Sequence, residues 1–436
     1  MKTATLNIPR ETTAPFTGKI QYYGLMLFFV LEYVRPNNYL PQLNALHLNS
    51  LVPAVVIAVT IFSSASPGNL AVLRYRNTKL ILFFVLLIVG SVITADVTLY
   101  AFDKFKTIIG YVLMYFVICR AARTEDRLKG LLKTLIFVHV AVLLLNTQLF
   151  LNPEVRSYIA SGAFLGDGND LSLSIAIAIP FCVFFIREEK KPYMKAFYIL
   201  VLLVLVAGII GTSSRGGTLA LVSSVLYLWT KSDRKLVLAG ALVVLAGLVV
   251  SLAPSSYTER IKTIKNYESD GSAQGRLLAW ESGVRMAIDH PLLGVGAGHF
   301  PVKYGVEYRP PGYGRAEFPW STAHSIYFVI LGELGFPAFF LLYIMAYNFM
   351  RNGRIIQGLR PPRAPEDPSA RNLFVSLNAS LVSFAVGGAF LTAIYYPHLY
   401  ILAAILSSAR FVFRKPPEAQ PERSRALRPG YGAAGA

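Results

Sequence analysis

The chain has 436 residues, 54% of them hydrophobic and only 15% charged, with a formal net charge of +18. That balance excludes a string of soluble domains and implies a polytopic membrane protein. Its two cysteines, Cys119 and Cys182, exclude a disulfide framework and a Cys-based zinc site. The basic excess bears on membrane topology before it bears on nucleic acid, which is not an expected partner.

Residues 1–19 are polar and lack the basic, apolar and small-residue succession of a cleavable signal peptide, so the first apolar stretch is expected to remain as a membrane helix. Charged and turn-rich breaks divide the chain into about twelve apolar segments. They are 20–34, 51–66, 80–95, 106–119, 130–149, 171–186, 196–211, 216–230, 236–252, 323–349, 372–394 and 396–412. The expected fold is an all-α bundle of about twelve transmembrane helices with one large loop. The domains read as an N-terminus (1–19), helices one to nine (20–252), the large loop (253–322), helices ten to twelve (323–412) and a disordered tail (413–436) rich in Pro, Arg, Gly and Ala.

Lysine and arginine set the expected orientation. One set of connections holds 29 of the 42 basic residues, and the short connections of the other set hold 5. The positive-inside rule then puts both termini in the cytoplasm and the large loop outside, which in a bacterial inner membrane is the periplasm. Every candidate reactive group falls on that outer side.

In chain order the candidates begin with Arg35, followed by the turn Gly166, Asp167, Gly168, Asn169 and Asp170, in which Asn169 or Asp170 can cap the next helix. Two carboxylates three apart are too few for a hard cation without further ligands, and no metal is expected. Gly211 to Gly217 joins two apolar helices through a connection so short that Arg215 is held at the membrane surface. There it either snorkels to lipid phosphate or grips a diphosphate with its planar guanidinium, the glycines giving room.

The large loop holds Arg276, Trp280 and Gly283 at helical spacing. Arg276 is either a solvated residue of an amphipathic helix or a second anion ligand, and Arg309 and Arg315 are further candidates for substrate binding. Asp289 to Gly298 is a glycine-rich turn that could offer backbone N–H groups to an anion, though its spacing alone is a weak signal. His324 opens the tenth segment. It is either a hydrogen-bonded structural histidine or a general base, a task that its near-neutral titration suits. Glu333, nine residues on, lies about 13–14 Å deeper and cannot orient His324 on a straight helix; it is expected to make a buried polar contact with a neighbouring helix. The chain has no Walker motif and no zinc-ligand spacing, and no cofactor is expected.

Ser214 to Gly217 in an outer turn, Arg276 four before Trp280, His290 to Gly298, and His324 with Ser325 ahead of Gly335 together resemble the O-antigen ligase superfamily. That superfamily also holds O-antigen polymerases and bacterial protein O-oligosaccharyltransferases. The resemblance spans about 165–340 and implies a GT-C-like membrane glycosyltransferase. It implies transfer from an undecaprenyl-diphosphate-linked glycan to a hydroxyl acceptor such as lipid A-core, without metal. It further implies that Arg215 and Arg276 bind the diphosphate and that His324 activates the acceptor. Ala338 stands where the family's histidine motif often has Gly, Thr or Tyr, which bears on the subfamily. A rival of another class, a lipid-linked glycan transporter, predicts charges at mid-membrane depth and internal pseudo-repeats.

Overall fold

The computed structural model describes residues 16–63, 72–151, 165–236, 271–309, 321–358 and 368–413, with four isolated residues between 239 and 247. Each expected apolar segment is helical except 236–252, which lies mostly outside the described residues, as do most of the N-terminus, 253–270 and the tail beyond 413. The helices are α1 (Phe16–Phe29), α2 (Leu48–Phe62), α3 (Arg76–Thr94), α4 (Thr98–Ala121), α5 (Glu125–Leu145) and α6 (Gly168–Glu188). They continue as α7 (Pro192–Gly211), α8 (Arg215–Thr230), α9 (Gly271–Asp289), α10 (Ile326–Gly358), α11 (Pro368–Gly388) and α12 (His398–Val412). Six helical stretches are long and apolar enough to cross a membrane, and the described residues form no strand. This is an all-α, multi-pass membrane protein.

Three segments differ most from the expected bounds, and one of them, 323–349, runs on as a helix to Gly358. The 106–119 segment becomes α4 by gaining two turns at its start, because Asp103 and Lys106 pair at 2.7 Å on its exposed face and do not interrupt it. The 372–394 segment ends as a helix at Gly388, and 389–397 is a turn.

The centre of the bundle is α6, whose side chains from Asp170 to Phe185 are almost all buried against α5, α7, α8 and α11. Pro180 in α6 has no N–H for the carbonyl of Ala176, and in a membrane that group needs another donor. Ser383 of α11 supplies it, its Oγ lying 3.1 Å from Ala176 O and 3.1 Å from Ala220 O of α8. Ser380 Oγ serves Ile177 O at 2.7 Å. Small residues let the three helices close up: a Cβ at Gly387 would lie 2.5 Å from Leu173 Cδ1, and Gly217 faces Ser172.

A second constraint comes from α10, which breaks at Gly335 (φ 76°, ψ −176°). The backbone exposed by the break is taken up by the large loop, which folds back onto it. Val295 N donates to Gly332 O (2.9 Å), Gly296 N to Glu333 O (3.1 Å) and Phe336 N to Pro291 O (3.0 Å). Glu333 itself is buried and accepts from Gly298 N (2.8 Å), Phe300 N (3.1 Å) and the Tyr395 hydroxyl. Its contact is therefore polar and buried as expected, but its partners come from the loop and a turn, not from a neighbouring helix. Replacing Glu333 by Ala orphans Phe300 N and the Tyr395 hydroxyl at about 1–3 kcal/mol each, while Gly298 N keeps the Tyr395 oxygen at 3.1 Å. Glu333→Ala is expected to lower the thermal midpoint in detergent and to speed proteolysis within 290–309, more than Glu333→Gln; equal midpoints for wild type and Glu333→Ala would rule out this docking role.

Candidate active site at one end of the bundle

The N-termini of α6, α8, α10 and α12 gather at one end, where a set of local contacts ties them together. Asp167 caps α6, accepting from Asn169 N at 3.0 Å, so the cap lies two to three residues earlier than Asn169 or Asp170. Asn169 is thereby free to bridge: its Nδ2 donates to the Asp167 carboxylate and its Oδ1 accepts from Ser214 Oγ at 2.8 Å. Ser214 in turn caps α8, accepting from Gly217 N at 3.1 Å. Arg215 is the first residue of α8, its backbone set by this chain of caps. The adjacent glycines meet protein: a Cβ at Gly216 would lie 3.2 Å from Phe390 Cβ, and Gly217 packs on Ser172. They serve close helix packing, not the room for a diphosphate that the sequence suggests.

Arg276 and His324 are joined through Trp280. The indole Nε1 donates to Ala323 O at 2.8 Å, and the ring stacks on Phe328 with centroids 4.9 Å apart. A Cβ at Gly283 would stand 2.9 Å from Phe328 O, so the face shared by Arg276, Trp280 and Gly283 is the one α9 lays on α10. Arg276 sits one turn before Trp280. His324 follows Ala323 in a left-handed conformation (φ 46°), and Ser325 Oγ beside it is buried with no hydrogen-bond partner among the described residues. The other non-glycine residues with positive φ are Arg35, His47 and Ser213. Strained backbone of this kind costs on the order of 1–3 kcal/mol and gathers where geometry is functional.

The turn 389–397 connects the two halves; the expected segment break at 395 marks its position but not its length or its contacts. Phe390 lies on Gly216, next to Arg215, and Thr392 Oγ1 pairs with Thr322 Oγ1 at 3.0 Å, two residues before His324. Two residues of chain span at most roughly 7 Å. Tyr395 binds Glu333, and Tyr396 donates to Asp170 Oδ2 at 2.9 Å. Asp170, largely buried, is thus fixed beside the Asn169 and Ser214 bridge. The Lys104 ammonium lies 5.1 Å from the centroid of the Tyr395 ring. Carried on α4, Lys104 is a cation at this end.

The remaining candidates are placed less centrally. Arg35 donates from Nε to Glu32 O at 3.3 Å, and the Arg309 guanidinium lies over the Tyr304 ring at 5.5 Å. Arg315 is outside the described residues. The glycine turn is not an anion nest: the N–H groups of Gly294, Val295, Gly296, Gly298, His299 and Phe300 are all bonded within the protein. His299 is structural as well, its Nε2 accepting from Val97 N at 3.0 Å. Lys303, 2.6 Å from Asp96, ties the loop to the α3–α4 connection, and its hydrogen bond holds the Asp96 carboxyl below its ordinary value. Burial pushes the Tyr308 phenol up to about 12, Asp289 adding to the effect, so it stays a donor.

Below this end, His139 and His398 both meet Ser174 Oγ, at 2.6 and 2.9 Å, inside the bundle. A histidine in an apolar run is the only sign of that network in the sequence.

No curated protein sequence matches the chain. Residues 199–343, which contain Arg215, Arg276, Trp280, His324 and Glu333, match the sequence profile of the family described as O-antigen ligase, which supports the resemblance to the O-antigen ligase superfamily.

Proposed function

We propose that the protein transfers a glycan from undecaprenyl diphosphate to a hydroxyl acceptor at the periplasmic face of a bacterial inner membrane, with ligation of O-antigen to lipid A-core as the reading. The observation that carries it is the gathering of Arg215, Asn169, Asp170, Arg276 and His324 at one end, through caps, Trp280 and the 389–397 turn. In this reaction Arg215 and Arg276 hold the donor diphosphate, assisted by the positive ends of α6, α8, α10 and α12. His324 takes the proton of the acceptor hydroxyl as its oxygen attacks the anomeric carbon. The bond from that carbon to the phosphate oxygen breaks, the anomeric centre inverts, and undecaprenyl diphosphate leaves with the bonding electrons. The proton then passes from His324 to water.

A transporter needs its mid-membrane charges available to cargo, whereas Glu333 is committed to three protein donors. Purified protein in liposomes, given lipid-linked donor and lipid A-core, is expected to release one undecaprenyl diphosphate per glycan joined. Movement of intact donor across the bilayer without cleavage would replace the transferase reading with the transporter.

The same proposal places both termini in the cytoplasm and the 253–322 loop outside. In a background lacking Cys119 and Cys182, a cysteine at Ile288 (63% exposed) is expected to react with an impermeant thiol reagent in whole cells, and one at Asp233 (84% exposed) to be protected. The reverse pattern would overturn the topology.

A further inference from the structure

The same end of the bundle holds a pocket between the end of α1 and the start of α2, with a volume of about 110 Å³. It is lined by apolar side chains, Leu31, Leu43 and Leu48, and by polar ones, Asn37, Asn44, His47, Asn49 and Ser50. The asparagines form a network in which Asn37 Nδ2 donates to Asn44 Oδ1 (3.1 Å) and Asn49 Nδ2 donates to Asn37 Oδ1 (3.3 Å). Among the described residues, Asn44 Nδ2 and Asn49 Oδ1 stay outside this network, one a donor and one an acceptor. Arg35 and His47, which bracket most of the segment, both have left-handed backbone (φ 50° and 45°).

This combination suits a hydroxyl-rich ring better than an anion. No carboxylate, lysine or arginine lines the pocket. A sugar hydroxyl both donates and accepts, an amide supplies both partners, and the C–H face of the ring packs on leucine. The pocket is also coupled to the Arg215 turn. Asn146 at the end of α5 donates to Tyr39 OH at 2.8 Å, and Leu149 O lies 2.9 Å from where a Cβ at Gly211 would stand, four residues before Arg215.

We propose that this pocket is a subsite for an uncharged sugar residue of the glycan, away from the bond that is broken. The proposal rests on the transferase reading for its biological use, and the sugar belongs either to the donor glycan or to the acceptor.

The test uses full-length protein in detergent and saturation-transfer difference NMR with a panel of methyl glycosides of glucose, galactose, mannose and rhamnose. At least one is expected to give a signal, and the exposed double variant Asn44→Leu with Asn49→Leu should weaken its binding by about tenfold, two neutral hydrogen bonds being lost. In the transfer assay the double variant should raise KM for one substrate only, donor or acceptor, which identifies the source, and leave kcat within about twofold. Absence of any signal from wild type, an unchanged signal in the double variant, or a fall in kcat with both KM values unchanged would each overturn the subsite. Arg215→Ala separates the two readings: the sugar signal should survive it, so normal transfer by Arg215→Ala refutes the diphosphate role without touching the pocket.

Discussion

His324→Ala is expected to insert, fold and bind the lipid-linked donor, while transfer falls by about 10² to 10⁴. At about 1.4 kcal/mol per decade that is about 3–6 kcal/mol of transition-state stabilisation. The fold should survive because side chains other than His324 also hold the backbone that leads into it. Trp280 fixes Ala323 O on one side, and Thr392 fixes Thr322. His324→Asn is the control for the left-handed backbone, which asparagine tolerates well, and it should be almost as inactive as His324→Gln, since neither amide can accept the proton. The wild-type rate should fall on the acid side, because protonation of the imidazole removes the base, and that limb should vanish from the residual rate of His324→Ala. Near wild-type transfer by His324→Gln would reduce His324 to a positioning residue. The base would then be sought at Asp170, which Tyr396 already fixes at this end.

What the sequence made legible follows from the strength of each signal. Long apolar runs announce helices because a bilayer leaves the backbone no alternative, and the start of α4 slipped because Asp103 and Lys106 satisfy each other on the helix itself. The arginines and His324 stood out because charge beside apolar runs is costly. The turn 389–397 was legible only as a break at 395, since the apolar Phe390, Leu391 and Ile394 read as the end of the preceding helix. Its role depends on contacts with residues far away in sequence, at Gly216, Thr322, Glu333 and Asp170. The glycine run after Asp289 was legible as a turn, and Gly294, Gly296 and Gly298 in it have positive φ. Spacing could not tell whether the N–H groups meet an anion or the broken end of a helix. In the 166–170 turn three cap-forming side chains compete, and only the bridge from Asn169 to Ser214 explains why Asp167 caps.

Arg215→Lys should lose most transfer although it keeps the charge. A guanidinium offers a planar pair of donors to two phosphate oxygens, and an ammonium offers a point charge. Losing one charge-assisted hydrogen bond costs about 1.5–3 kcal/mol, or about 10- to 150-fold in rate. The substitution leaves the caps alone, since Ser214 and Asn169 bond through their own side chains and the Gly217 backbone. Arg276→Ala should behave similarly, since Trp280 and Gly283 hold its helix against α10. Because negative charge grows on the diphosphate as the sugar leaves, both losses should fall mainly on kcat, with a smaller rise in donor KM. Purified variants that bind and use donor as wild type does would end the diphosphate role. The double variant decides whether the two side chains share one ligand. If they clamp the same diphosphate, the second loss should be smaller than the first, because the leaving group is already misplaced. Losses that simply multiply would place the two arginines on separate groups, and Lys104, the remaining cation beside the 389–397 turn, would then be the first candidate for the second hold on the diphosphate.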